Sequence, residues 1–193
     1  SADAVVLATP AFVAADLIEP LHAELAGRLR AIRYVSTATL SLAFPRAGFE
    51  HPLNGFGFVV PRREPCQLMA CTWTSTKFEG RAPHDYVLMR VFVGGPHRQE
   101  LVELDDAGLL SLVQDELLDV MGIRTPPAMT WLYRWPQANP QYDVGHLERV
   151  AELEGLTASL PGLYLVGSAY RGVGIPDCIE QGKAVAEKIK QLQ

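Results

Sequence analysis

A short apolar run near each end of the chain, each followed by a helical pattern, constrains the fold more than any other feature. Asp3-Ala4-Val5-Val6-Leu7-Ala8-Thr9-Pro10 places one run at residues 4–8, and Leu163-Tyr164-Leu165-Val166-Gly167 places the other. Runs this short, continuous rather than alternating, predict parallel strands buried on both faces. Residues 11–30 carry a helical pattern in two pieces, with Pro20 opening the second, where a proline costs no needed donor. Leu21, Leu25 and Leu29 recur on one face of that second piece. Pro176 to Leu192 predicts the closing helix, with Asp177 and Glu180 in its first turn and Lys188 and Lys190 in its last, a placement that suits the helix dipole.

Between these ends the period changes. Residues 33–44, Gly55 to Pro61, Gln67 to Ser75 and Val87 to Val93 read as four strands. Their connections are of hairpin length, which predicts an antiparallel sheet. Asp105 or Asp106 can cap a helix across 107–121, whose face is Leu109, Leu110, Val113, Leu117 and Met121, and Gly122 suits a left-handed stop. An extended stretch runs from Pro126-Pro127 to Trp135, a polar, proline-bearing loop covers 136–142, and a helix covers 144–158. The order predicts an α+β fold: an antiparallel sheet with helices, flanked by strand–helix pieces of one α/β layer. The boundaries fall at 1–32, 33–135 and 136–193.

Composition excludes several classes. Charged residues make up 20% of the 193 and hydrophobic residues 48%, an ordinary globular balance. The net charge of −5, without a basic cluster, sets nucleic-acid partners aside. Cys66, Cys71 and Cys178 form no Cys-x-x-Cys pair, so reduced thiols in a cytoplasmic protein are expected. His22, His51, His84, His97 and His146 lack metal-ligand spacing, and surface, capping or structural roles are expected for them. No Ser-His-Asp set or paired-carboxylate pattern can be placed. No apolar run reaches the length of a membrane span, and no basic region opens a signal peptide. A chain that begins at once on a strand is expected to be excised from a longer protein.

The stretch Gly162 to Ile179 carries the chemistry. A strand ends in Gly167, Ser168-Ala169-Tyr170-Arg171-Gly172-Val173-Gly174 follows as a glycine-bearing turn, and a helix opens at Pro176. Glycines let backbone approach a ligand, and a helix N-terminus offers unpaired N–H groups with partial positive charge. Such a site favours a phosphate or the negative charge of a reduced flavin. Tight packing alone is the competing reading. Cys178 in the helix's first turn could become acidic, although an inert buried thiol is the simpler reading.

Three ordered blocks resemble the FAD-dependent protoporphyrinogen and coproporphyrinogen oxidase family of amine-oxidase-like flavoproteins. The first is Tyr170-Arg171-Gly172-Val173-Gly174-Ile175-Pro176-Asp177-Cys178-Ile179. The second runs from Gly55-Phe56-Gly57-Phe58-Val59-Val60-Pro61 through Ala70 to Phe78 and Gly80-Arg81-Ala82-Pro83 to Leu88-Met89-Arg90-Val91-Phe92-Val93-Gly94-Gly95. The third is Asn139-Pro140-Gln141-Tyr142-Asp143-Val144-Gly145-His146. The resemblance covers nearly the whole chain. It implies that the end segments belong to an incomplete FAD-binding Rossmann-like domain and the middle sheet to the substrate domain. It also implies flavin contacts at Val173, Gly174 and Ile175, with Gly167 and Ser168 at the strand end and Trp135 flanking the flavin. Tyr170 and Arg171 would turn toward the cofactor cleft, or Arg171 would lie at the surface. Ser168 departs from the acidic residue common at that position in such flavoproteins.

The Gly-x-Gly-x-x-Gly pyrophosphate loop is absent, and residues 172–176 lack its third glycine. FAD is therefore expected to be held mostly by a region outside this chain. The implied partners are a porphyrinogen and O2, with peripheral membrane association and self-association of the fragment also expected. The alternatives are another amine-oxidase-like flavoenzyme, such as a desaturase or amine oxidase, and a non-catalytic ligand- or protein-binding module.

Overall fold

The computed structural model describes residues 2–191. The chain forms two compact units. One joins residues 1–34 to 140–193, and the other is residues 35–139.

In the first unit, strand β1 (Val5–Leu7) pairs in parallel with strand β7 (Leu163–Leu165). Helices α1 (Ala11–Ile18) and α2 (Ala23–Arg30) follow β1, α5 (His146–Thr157) precedes β7, and α6 (Ile175–Lys190) closes the unit. Leu192, expected in the last helix, lies outside the described residues. Ala11, Ala14, Ile18, Leu25, Leu29, Val150 and Leu153 form the unit's core with Tyr170. The small alanines let α1 lie close to its neighbours.

Two expectations change here. Val5 and Val6 are 47% and 43% exposed, so β1 is not buried on both faces. A sheet only two strands wide leaves an edge of each strand open among the described residues. Pro20 lies in the turn before α2 rather than in its first turn. His22 caps that helix instead, its Nδ1 accepting from the Leu25 N–H at 3.2 Å. Leu21 is consequently exposed, while Leu25 and Leu29 are buried.

The second unit is a five-stranded antiparallel sheet in the order β3–β4–β5–β2–β6. The strands are β2 (Tyr34–Pro45), β3 (Gly57–Val59), β4 (Leu68–Thr72), β5 (Tyr86–Gly94) and β6 (Met129–Pro140), the ends of β2 and β6 reaching into the first unit's residues. A four-residue helix, α3 (Thr74–Lys77), follows β4. Alternation decides which face is buried. Leu40 and Leu42 of β2 and Val87, Met89, Val91 and Val93 of β5 point into a core shared with Leu109, Val113 and Leu117 of helix α4 (Asp106–Met121). Asp105 caps α4 by accepting from the Gly108 N–H at 2.7 Å, and α4 stops at Gly122 with φ 68°. Arg134 fastens β6 to the start of α4 through the Val102 carbonyl (2.9 Å) and the Asp106 carboxylate (2.6 Å).

The segment 136–140, expected as loop, continues β6 as strand. Pro136 and Pro140 are tolerated because β6 is an edge strand, where a missing N–H breaks no ladder. None of the described helices is long and apolar enough to cross a membrane.

Candidate functional site

The glycine-bearing turn between β7 and α6 is held by a device drawn from a distant part of the sequence. The Tyr142 hydroxyl donates to the Ser168 carbonyl at 2.7 Å and accepts from the Gly172 N–H at 2.9 Å. One phenol thus closes the turn across its mouth. Burial, partly offset by the Gly172 N–H, pushes that phenol's pKa above the ordinary range, so it stays protonated and able to donate.

Beneath it, the His146 ring stacks on Tyr142 with centroids 3.7 Å apart and planes 12° from parallel. His146 Nε2 lies 2.8 Å from the Tyr170 carbonyl. A carbonyl can only accept, so Nε2 carries the proton in that bond. His146 is 5% exposed, the one buried polar side chain among the described residues. Tyr142 and His146 stand four residues apart, with Gly145 (φ 84°) turning the chain into α5 between them. The Asn-Pro-Gln-Tyr block and the glycine turn, separate in sequence, are therefore one structural element.

On its other side the turn is set by Asp177. Its carboxylate accepts from the Gly174 N–H at 3.0 Å, the side-chain half of a capping box. Gly172 has φ 137°, and a Cβ there would collide with the Asp177 carboxylate. Only glycine meets both demands at that position. Gln181 of α6 reaches back to the Gly167 N–H at 3.2 Å. Gly167 has φ 124° and open space where a Cβ would stand.

The turn presents apolar side chains and free donors together. Val173 is 62% and Ile175 77% exposed. Neither N–H finds an acceptor among the described residues; Val173 precedes the 16-residue helix α6, and Ile175 is its first residue. Exposed aliphatic groups beside unpaired N–H groups at a positive helix end fit a flat, partly anionic heteroaromatic ring system. A flavin is such a group, and the residues present fit it.

The family described as flavin containing amine oxidoreductase matches residues 1–190. The chain belongs to that family. It is 39% identical over 184 residues to coproporphyrinogen III oxidase of Bacillus subtilis (strain 168), covering 95% of this chain and 39% of the relative. It is 26% identical over 195 residues to the chloroplastic protoporphyrinogen oxidase of Nicotiana tabacum, covering 96% and 36%. A crystal structure from Exiguobacterium sp. 255-15, of a protein named provisionally as a protoporphyrinogen oxidase, superposes with a TM-score of 0.86 at 34% identity. That match covers all of this chain and 42% of the other. The chain thus spans about two fifths of the length of these relatives.

Of the six site residues that the sequence pointed to, Gly167, Ser168, Val173, Gly174 and Ile175 lie together in the turn of the first unit. Trp135 belongs to the second unit, on β6, with its indole N–H donated to Thr39 Oγ1 at 3.3 Å. Ser168 contributes its carbonyl to the Tyr142 clamp. Tyr170 is 4% exposed and part of the core, and it also lines the groove beside β7. Arg171 is committed to Glu154 by a two-pronged pair at 2.8 and 2.7 Å, and this holds the Glu154 carboxyl below its usual pKa. Cys178 is half-buried, with its thiol toward the Gly172 carbonyl at 4.0 Å.

Sequence reasoning assigned no contact to Tyr142, Asp177 or Gln181. The signal that could have found Tyr142 is its four-residue spacing to His146 within the resembling block. No group of His, Cys, Asp and Glu suited to a metal ion occurs among the described residues.

Proposed function

We propose that this chain is the C-terminal part of a flavoenzyme that oxidises a porphyrinogen to the porphyrin in haem biosynthesis, with O2 as the final acceptor. The observation that carries the reading is the clamped turn: Tyr142 and His146 pre-set a glycine-bearing backbone on which the unpaired N–H groups and exposed side chains of Val173 and Ile175 suit a flavin edge. The names of the relatives supply the substrate class. Identity is higher to the coproporphyrinogen III oxidase of Bacillus subtilis than to the tobacco protoporphyrinogen oxidase, which favours coproporphyrinogen III.

When bound, FAD supplies the hydride-accepting chemistry. This chain's residues do the positioning. The backbone N–H groups of Val173 and Ile175 would donate to the flavin's pyrimidine edge, with Gly174 letting the backbone come close, where the start of α6 stabilises negative charge. The aliphatic side chains of Val173 and Ile175 would exclude water from that edge. Gly167 and Ser168 would leave room at the strand end, where a larger or charged side chain would intrude. Trp135 as a flavin neighbour rests on the resemblance alone.

The remainder of the FAD site, including a pyrophosphate loop, would lie in a region outside these 193 residues. A groove of about 640 Å³ flanks β7, lined by α5, the strand itself and α6, with Leu153, Leu163, Leu165 and Val185 among its apolar walls. Together with the open strand edges, it would make the isolated piece prone to self-association.

The test uses the full-length protein. Its absorption spectrum is recorded, and porphyrin fluorescence is followed under air after each porphyrinogen is added. A flavin spectrum, with porphyrin forming faster than autoxidation, is expected. Bound flavin without porphyrin formation would redirect the reading to another amine-oxidase-like activity. A colourless protein would leave the glycine turn as a packing device.

A further inference from the structure

The second unit carries a trough that nothing in the fold explains. One face of the sheet packs on α4; the other is open. On that open face the central strand β2 presents small side chains, Ser41 and Ala43, between two taller walls. One wall is β6, with Met129 42%, Trp131 43% and Tyr133 57% exposed. The other is the end of the preceding loop and β5, with Arg81 and Arg90. A strand of small residues between rows of large ones makes a groove, here of about 360 Å³.

The charge of the trough is one-sided. Arg90 stands opposite Ser41 in the ladder, and its Nε donates to Ser41 Oγ at 3.3 Å, which ties the guanidinium to the trough floor. Arg81 lies with its guanidinium carbon 5.8 Å from the centroid of the Phe78 ring. Neither arginine pairs with a carboxylate among the described residues, and no acidic residue lines the trough. Two guanidiniums thus stand beside the exposed Trp131 and Tyr133 with no acidic side chain among the trough's walls. Guanidinium forks bind carboxylates in two-pronged fashion, and indole and phenol faces stack on flat rings. The trough is near the lower end of ligand-site volumes, roughly 300–1,000 Å³, so it suits one edge of a large flat molecule.

We propose that this trough receives one edge of the tetrapyrrole, with Trp131 and Tyr133 against the ring and Arg90 and Arg81 on its peripheral carboxylates. The assignment rests on the porphyrinogen reading above. It makes the two arginines specificity-determining residues. Coproporphyrinogen carries a propionate on every pyrrole, whereas protoporphyrinogen has two propionates replaced by vinyl groups. Guanidiniums placed at the ring edge therefore favour the tetracarboxylate.

The test measures binding of the stable products coproporphyrin III and protoporphyrin IX to the full-length protein, by quenching of porphyrin fluorescence. Coproporphyrin tetramethyl ester serves as the uncharged control. Arg90→Gln and Arg81→Gln are compared with wild type, and Arg90→Lys tests whether charge alone suffices. Arg90→Gln is expected to weaken coproporphyrin III binding roughly tenfold or more, while changing the ester by less than about twofold. In turnover, KM for coproporphyrinogen should rise with kcat little changed, since the guanidinium binds ground and transition states alike.

Both exposed arginines can be replaced without disturbing the core, and unchanged melting of the variants checks this. If wild type binds both porphyrins and the variants leave the coproporphyrin-to-protoporphyrin ratio unaltered, the trough assignment falls and the porphyrinogen reading stands. If wild type binds neither porphyrin and oxidises neither porphyrinogen, both fall.

Discussion

Tyr142 is the residue on which the glycine turn depends most. Its hydroxyl satisfies one donor and one acceptor at once, so Tyr142→Phe leaves the Ser168 carbonyl and the Gly172 N–H without partners. A loss of about 1–3 kcal/mol is expected. In a chain of this size that is a fall in Tm of about 2–4 °C per kcal/mol, read by thermal melting. Gly172→Ala should act at the same place for a different reason. It asks an L-residue to adopt φ 137° and drives a Cβ into the Asp177 carboxylate, at a cost of about 1–3 kcal/mol. Flavin content of the full-length protein should fall in both variants.

Cys71 gives a prediction in pH. Burial raises its thiol from an ordinary value of 9.0 to about 12. Between those values the unfolded chain loses a proton that the folded chain keeps, so this contribution to stability is complete below pH 9 and disappears as pH rises toward 12. Cys71→Ala or Cys71→Ser should flatten the alkaline limb of a stability-against-pH curve measured by urea unfolding. An unchanged limb would assign it to other groups.

At the scale of elements, local rules account for most of what formed. The cap at Asp105, the stop at Gly122 and the apolar face of α4 are all local, and α4 falls within a residue of where the sequence places it. Asp105→Ala should cost about 1 kcal/mol through the lost Gly108 bond, measurable as a lower Tm with helix content retained. Elements decided by their neighbours departed from expectation. Residues 136–140 read as loop because of two prolines, but β2 supplied a partner and the edge position removed the objection to proline. Pro20 looked like a helix opener, yet the imidazole of His22 makes a capping bond that proline cannot make.

At the scale of the molecule, the chain leaves its first unit at residue 34 and returns at residue 140. The first unit's parallel pair joins strands about 160 residues apart, with Val5 opposite Leu163. Two parallel strands with open edges and exposed Val5 and Val6 are a poor free-standing sheet. The 193 residues expressed alone are therefore expected to be colourless with added FAD, inactive, and larger than a monomer by size-exclusion chromatography. A yellow, active monomer would overturn the proposal that most of the flavin site lies elsewhere.

The sequence by itself determined the elements and the glycine turn's candidacy, because periodicity, caps and positive-φ glycines are written in adjacent residues. Resemblance between ordered blocks added the family. The clamp of Tyr142 and His146 on residues 168–172, the use of Arg171 by Glu154 and the arginine trough on the open sheet face were decided only by tertiary structure. The clamp and the Arg171–Glu154 pair join residues 17 to 30 positions apart, and the trough draws on residues from Ser41 to Tyr133. Which phenol, carboxylate or guanidinium meets which backbone depends on how strands pair and helices pack, and no local pattern records it.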